Sequence, residues 1–208
     1  YLPFDRRASG YVPGEGGALL VLEEATAARE RGARRYGDIA GYAATFDPAP
    51  GRGRTPGLRR AIELALADAG LTPSQIGVVF ADAAGTPELD RIEAAAINAV
   101  FGPRAVPVTA PKTGTGRLYA GAASLDVATA LLAIRDGVIP PTANVTPWEE
   151  YDLDLVCGQA RPAHLNAALV LARGYGGFNS AMVVCRPSDA VDGADAPVPA
   201  DASATPAT

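Results

Sequence analysis

Pro111-Lys112-Thr113-Gly114-Thr115-Gly116-Arg117-Leu118-Tyr119-Ala120-Gly121-Ala122-Ala123-Ser124-Leu125-Asp126-Val127 is the stretch whose reading decides this chain. A short strand candidate, Val106 to Thr109, precedes it, and it runs into a helix of small and apolar residues. Lys112 is the only lysine; the other seventeen basic residues are arginines. A lysine at a strand end, facing a glycine-rich turn, is a phosphate ligand, a buried counter-ion or a surface charge. No Gly-Lys-Ser/Thr closes the turn, so the spacing is not that of a phosphate-binding P-loop. From the residues alone, the surface charge and the buried counter-ion both stay open.

On either side the chain reads as alternating strands and helices. Leu58, Ile62 and Leu66 recur every four residues, giving one apolar stripe that Gly70 closes. Thr55-Pro56 is the expected start of that helix, a hydroxyl cap with proline in the first turn. Ile76 to Phe80 is a continuous apolar run of the kind found inside a parallel sheet. Helices follow from about Glu88 to Phe101 and from Ala120 to Asp136, stopped by Gly102 and Gly137. Ala167–Ala172 and Ala181–Cys185 read as strands joined across a Gly-rich loop, hence a hairpin. Earlier, Tyr11 to Leu22 predicts a glycine-rich turn leading into an apolar strand. Ala25 to Arg31 predicts a helix ended by Gly32, and Ile39 to Ala43 another strand. Asp47 to Gly57 is a loop by composition. Strand and helix in this rhythm predict an α/β layered domain with a largely buried sheet. After Arg186 only Ala, Asp, Pro, Ser, Thr and a few others remain, a tail expected to be disordered because it has little to bury.

Composition narrows the chemistry. The chain has 208 residues, 48% of them hydrophobic, and a net charge of −5. Its pI is about 4.9, so nothing favours nucleic acid or an anionic membrane as partner. No apolar run approaches the length needed to span a bilayer. Without a leader-like segment the default expectation is a cytoplasmic protein. Cys157 and Cys185 are too few for a disulfide framework or a four-cysteine metal site. The single histidine, His164, gives a zinc site or a serine triad little to work with, and reads as an exposed loop residue. The two cysteines read as small buried hydrophobes, and Trp148 as a packing residue. Asp90 and Glu93, at a helix start, read as dipole-favoured surface carboxylates.

The quoted stretch resembles the Lys-Ser-x-x-Gly-His segment of β-ketoacyl synthases, enzymes of the thiolase fold. Lys112 matches the lysine and Gly116 the glycine, while Arg117 stands where the histidine belongs. The resemblance extends over nearly everything before the tail. Pro3-Phe4-Asp5-Arg6 with Gly10-Tyr11-Val12-Pro13-Gly14-Glu15-Gly16 is similar to the family's Pro-Phe-Asp…Gly-Phe-x-x-Gly-Glu-Gly run. Pro140 to Asn144 and Asp152-Leu153-Asp154 match the segment after the long helix. Gly174-Tyr175-Gly176-Gly177-Phe178-Asn179-Ser180 matches the Gly-Phe-Gly-Gly loop near the mouth of the acyl pocket. The family's other histidine lies eight residues before an Asp-x-x-Glu pair; here that pair is Asp90 and Glu93, which puts Asp82 at the histidine position.

In the family both histidines donate hydrogen bonds to developing negative charge during decarboxylation and condensation. An aspartate accepts hydrogen bonds and repels that charge. An arginine still donates but is bulkier and shuttles no proton. This pattern of losses resembles one branch, the chain length factor or ketosynthase-β subunit of bacterial type II aromatic polyketide synthases. The resemblance implies the C-terminal part of a thiolase-like α-β-α-β-α fold: residues 1–45 ending the N-terminal half, 46–186 forming the C-terminal half, and 187–208 a tail. It implies a non-catalytic subunit that pairs with a ketosynthase-α subunit, shapes the tunnel where the polyketide grows, and meets an acyl carrier protein. No cofactor or metal is implied. The chain opens in mid-motif, so the missing N-terminal part of the same subunit is an expected partner. Asp82, Arg117 and Lys112 are the expected degenerate-site positions. Glu93 and Asp126 are placed around Lys112 as an ion network beside Asp90. Gly174, Tyr175, Gly176, Gly177 and Phe178 are the expected pocket loop. The alternatives are an active condensing or decarboxylating enzyme with an altered pocket, or a scaffold whose tunnel is closed.

Overall fold

The computed structural model describes residues 1–48 and 56–187. Its centre is a six-stranded sheet in the order β1-β8-β7-β2-β3-β5. These strands are β1 (Asp38–Phe46), β2 (Val78–Phe80), β3 (Pro107–Thr109), β5 (Asp154–Leu155), β7 (Ala167–Arg173) and β8 (Phe178–Cys185). β2 runs parallel to both β3 and β7, β3 is parallel to β5, and β1 and β8 complete an antiparallel edge. β4 (Val138–Ile139) and β6 (Arg161–Pro162) form a separate antiparallel pair. Among the described residues four α-helices accompany them: α1 (Ala25–Glu30), α2 (Leu58–Asp68), α3 (Pro87–Phe101) and α4 (Ala122–Asp136). The layered α/β expectation holds. No helix among the described residues is long and apolar enough to cross a membrane.

The pleat of β2 explains the two cores. Val79 faces a cluster that includes Leu58, Ile62, Ile97 and Leu169, under α2 and α3. Its neighbours Val78 and Phe80 face the other way, into a cluster with Val127, Ala130, Ile134 and Val170 under α4. A strand covered on both faces must be apolar at every position, and Val78, Val79 and Phe80 are all fully buried. Burying each large aliphatic side chain of the α2 stripe stabilises the fold by about 1.5–3 kcal/mol.

The observed elements depart from expectation in four places. No strand forms over residues 18–22; Leu19, Val21 and Leu22 are exposed, because among the described residues no ladder partner meets their backbone. The strand expected from Ile76 begins at Val78, since Pro73–Gln75 form a 3-10 turn that ends at Ile76. Helix α2 is capped by Gly57 rather than by a hydroxyl, and the Gly57 amide donates to Asp47 Oδ1 at 2.6 Å; Thr55 lies outside the described residues. Cys157 and Cys185 are half-buried rather than buried: Cys185 is the last residue of β8 and Cys157 lies in the loop two residues past β5. The tail beyond Pro187 and most of the 47–57 loop also lie outside the described residues.

β1 lies close against α2 because Gly41 has no side chain. A Cβ there would meet Ala65 O at 2.3 Å and Ala69 N at 2.6 Å, both rigid helix backbone. We expect Gly41→Ala to force the strand off the helix and destabilise the complete subunit by about 1–3 kcal/mol. Denaturant unfolding measures this; an unchanged midpoint would show that the sheet edge yields freely.

Candidate functional site

The residues singled out at the centre of the sequence meet at the carboxyl ends of the parallel strands, where open α/β sheets place their ligand sites. Asp82 follows β2, Lys112 follows β3 in a 3-10 turn, and Arg173 ends β7. Arg117 stands in the turn before α4, Asp126 on α4, and Asp90 and Glu93 on α3. Gly116, at φ +83°, lets that turn pass the N-terminal segment, where the Arg117 amide donates to Val12 O at 2.8 Å and the Gly14 amide to Arg117 O at 3.0 Å. A Cβ on Gly14 would meet Thr115 O at 2.0 Å, so the strap requires glycine.

Asp82 and Arg117 face each other. Nη2 of Arg117 donates to Asp82 Oδ2 at 2.8 Å and Oδ1 at 3.1 Å, and Nη1 donates to the Asp82 and Ala83 carbonyls at 2.9 and 3.3 Å. The Arg173 amide adds a second donor to Asp82 Oδ1 at 3.0 Å. Asp82 is 5% exposed and the Arg117 side chain 15%. Burial by itself would lower the Arg117 pKa, but Asp82 beside it carries it above its ordinary value. The guanidinium also lies over the Tyr11 ring at 5.6 Å, and Tyr11 packs edge-on against Tyr119. Tyr1 donates its hydroxyl to Ala83 O, and its phenol is held well above its usual pKa by burial.

Chemically this arrangement is closed. The Asp82 carboxylate only accepts, and both terminal nitrogens of Arg117 are engaged by Asp82 and Ala83. A decarboxylating or condensing site needs donors free to meet a developing oxyanion. Asp82 offers none, and the two terminal nitrogens of Arg117 are already engaged.

Lys112 has its own partner. Its side chain is 3% exposed and Nζ stands 2.5 Å from Asp126 Oδ2, a buried ion pair. Nζ also donates to Asp82 O at 3.2 Å. Burial pushes the Asp126 carboxyl up, against the pull of the Lys112 charge.

Glu93 does not join Lys112 in an ion pair, contrary to the expected three-way meeting. Its two oxygens accept the Asp82 and Ala83 amides at 2.7 and 2.8 Å. The backbone bend after β2 has claimed this carboxylate, leaving Asp126 to hold the ammonium alone. Nor are Asp90 and Glu93 surface residues: both are 0% exposed. Asp90 accepts the Phe4 amide at 2.9 Å and the Gly85 amide at 2.8 Å, so α3 pins the N-terminal segment and the bend after Asp82 together. Burial raises its pKa against those amide donors. Burial and the nearby Asp82 charge push Glu93 up to about 7, against the two amides and the Arg173 charge.

Sequence reasoning passed over Arg173, Tyr1, Asp47 and Asn179. Asn179 is fully buried and its Nδ2 donates to Asp47 Oδ1 at 2.9 Å and to Gly177 O at 3.0 Å. An arginine entering a glycine-rich loop was the available signal. The loop itself, Gly174 to Phe178, presents Tyr175 wholly to solvent, and Phe178 packs edge-on against Phe46. His164 is exposed at the opposite end of the sheet, and Trp148 packs edge-on against Tyr151. Among the described residues no group of three or more His, Cys, Asp or Glu is arranged to hold a metal ion.

Two expectations follow. Removing Lys112 leaves Asp126 buried without its counter-ion, a loss of roughly 3–5 kcal/mol. Lys112→Ala should therefore sharply lower the melting temperature of the complete subunit, with Lys112→Met milder because it keeps the apolar stem. A parent-like melt for Lys112→Ala would make the pair dispensable. The second concerns pH. A carboxyl whose pKa is raised by folding favours the fold when protonated. Glu93 thus contributes stability that is full below about pH 4.5 and is lost as pH rises through about 7. Comparing stability against pH for the parent and Glu93→Gln should show a shallower decline in the variant, which retains only the contributions of Asp90 and Asp126.

The comparisons with known proteins agree with this fold. The family model for the β-ketoacyl synthase C-terminal domain matches residues 36–146. The chain is 62% identical over 188 residues to the actinorhodin polyketide β-ketoacyl synthase 2 of Streptomyces coelicolor, covering 89% of this chain and 46% of that protein. It is 63% identical over 188 residues to the tetracenomycin polyketide synthase ketoacyl synthase β subunit of Streptomyces glaucescens, with the same coverage. Among solved structures, a β-ketoacyl synthase from Burkholderia phymatum superposes with a TM-score of 0.84 at 31% identity, over 89% of this chain and 46% of that one. The ishigamide ketosynthase/chain length factor superposes with a TM-score of 0.83 at 33% identity, over 88% and 46%. The chain spans about half the length of the relatives it matches. With the matching domain, the sheet and these relatives, the chain belongs to the β-ketoacyl synthase family and carries its C-terminal domain.

Proposed function

We propose that this chain is the C-terminal part of a chain length factor, a non-catalytic ketosynthase-β subunit of a type II polyketide synthase. Working in the cytoplasm with a ketosynthase-α subunit, it shapes the tunnel in which malonyl units delivered by an acyl carrier protein are condensed. The observation that carries this reading is the Asp82–Arg117 pair. The two positions where the resemblance puts histidines hold a carboxylate and a guanidinium that neutralise each other inside the protein. The names of the relatives from Streptomyces coelicolor and Streptomyces glaucescens, a β-ketoacyl synthase 2 and a ketoacyl synthase β subunit, support the same assignment.

The division of labour follows from the chemistry. Decarboxylative condensation needs a nucleophile to hold the acyl chain and donors to stabilise the enolate and the tetrahedral oxyanion. Asp82 raises the cost of negative charge at this place, and Arg117 is held away from substrate by its own carboxylate. The partner subunit therefore supplies the chemistry, and this chain supplies walls.

The test uses the complete subunit assembled with its ketosynthase partner and carrier protein. Exchanging this subunit for that of another producer should change product length. With the partner's nucleophile removed, malonyl decarboxylation should vanish, and Asp82→His with Arg117→His should not bring it back. Turnover well above background in either case would reveal an active site in this subunit and overturn the reading.

A further inference from the structure

The Gly174–Phe178 loop has no side-chain anchor at its tip, where Tyr175 is fully exposed, yet both of its stems are tied down. Arg173 is common to the ties. Its amide donates to Asp82 Oδ1 at 3.0 Å, on the side of the ion pair. Its side chain is 9% exposed and turns toward the other stem. There Nε donates to Asn179 Oδ1 at 3.3 Å and Nη2 stands 3.8 Å from Asp47 Oδ2, while Nη1 donates to Leu89 O on α3 at 3.1 Å. Asn179 passes the tie on to Gly177 O at 3.0 Å and to Asp47 Oδ1 at 2.9 Å, while the Asp47 amide donates to Gly177 O at 2.7 Å. The Gly174 amide closes the stem on Phe178 O at 2.8 Å. Gly176 and Gly177, at φ +82° and +87°, let the chain double back in this space.

We propose that Arg173 is a positioning residue of this loop: it locks the 174–178 segment to Asp82 on one side and to Asn179 and Asp47 on the other. Through the loop it sets the path open to the growing acyl chain, a consequence that rests on the chain length factor reading. A guanidinium suits the task because three of its nitrogens point to three different oxygens at once. An ammonium supplies the charge from a single point and cannot span them.

The experiment compares Arg173→Met and Arg173→Lys with the parent, in the complete subunit assembled with its ketosynthase partner. Met keeps the apolar stem and leaves the backbone tie to Asp82 intact. Amide exchange of residues 174–178 should accelerate at least roughly tenfold in Arg173→Met while the amides of β2 and α4 hold their rates. The distribution of product lengths should shift, with total malonyl consumption within about twofold of the parent. Lys should fail to restore either property. Unchanged loop exchange, acceleration spread through the whole sheet, or rescue by Lys each overturns the proposal. A loosened loop with an unaltered product distribution does so too, provided that exchanging the whole subunit changes products. If that exchange leaves products unchanged, the chain length factor reading has failed, and the exchange rates alone decide whether Arg173 positions the loop.

Discussion

A buried carboxylate must be neutralised, and the bend after β2 is built around that requirement. Asp82 sits at the carboxyl end of a strand covered on both faces, where water reaches little of it. An isolated charge there would be expelled or protonated. Arg117 satisfies it from the turn before α4, and the Arg173 amide satisfies it from the end of β7. Three separate stretches of chain are therefore held at one point by a single side chain. The N-terminal strap follows from the same constraint, because Val12 and Gly14 grip the backbone of the residue that supplies the guanidinium.

The neighbouring charges sort themselves around this pair. Lys112 reaches the carbonyl of Asp82 but finds its counter-ion in Asp126. Glu93 makes no ion pair among the described residues and instead accepts two amides of the bend; burial and the nearby Asp82 charge, acting against those amides, hold its proton more tightly than that of an ordinary glutamate. Asp90, one helical turn earlier, repeats the device by accepting the amides of Phe4 and Gly85. Carboxylates that accept backbone amides in place of a cation hold a strand-to-helix bend rigid with no need for a reacting group. A site that has lost its donors to an internal ion pair thus still has a structural reason to keep its lysine and its acidic residues.

That arrangement fits a subunit whose part is to be a wall. At the Asp82–Arg117 position the carboxylate only accepts and the terminal guanidinium nitrogens are engaged, yet the geometry holds the glycine-rich loop through a continuous set of hydrogen bonds from Asp82 to Asp47. Rigidity without reactivity is what shaping a tunnel demands. A residue that must hold still is well served by partners on every side, and one that must react is not.

Much of this was legible in the sequence. The stripe of Leu58, Ile62 and Leu66, the apolar run at Val78–Phe80, and the glycines after each helix determined the α/β alternation, because burial and helix termination are local patterns. Motif order identified the family and pointed to Asp82, Arg117 and Lys112 as neighbours. The sequence could not say which carboxylate held the lysine, since Glu93 and Asp126 are equally acidic and only the bend after β2 removes Glu93 from the competition. Nor could it show that Asp90 and Glu93 are buried, because a carboxylate at a helix start looks the same whether it faces water or the backbone of another segment. The apolar run at 18–22 read as a strand, but a strand also needs a partner ladder. Arg173 was silent for the same reason: its meaning lies in oxygens of Asp82, Leu89 and Asp47, all distant from it in sequence, which join that of Asn179 around it only once the sheet has closed.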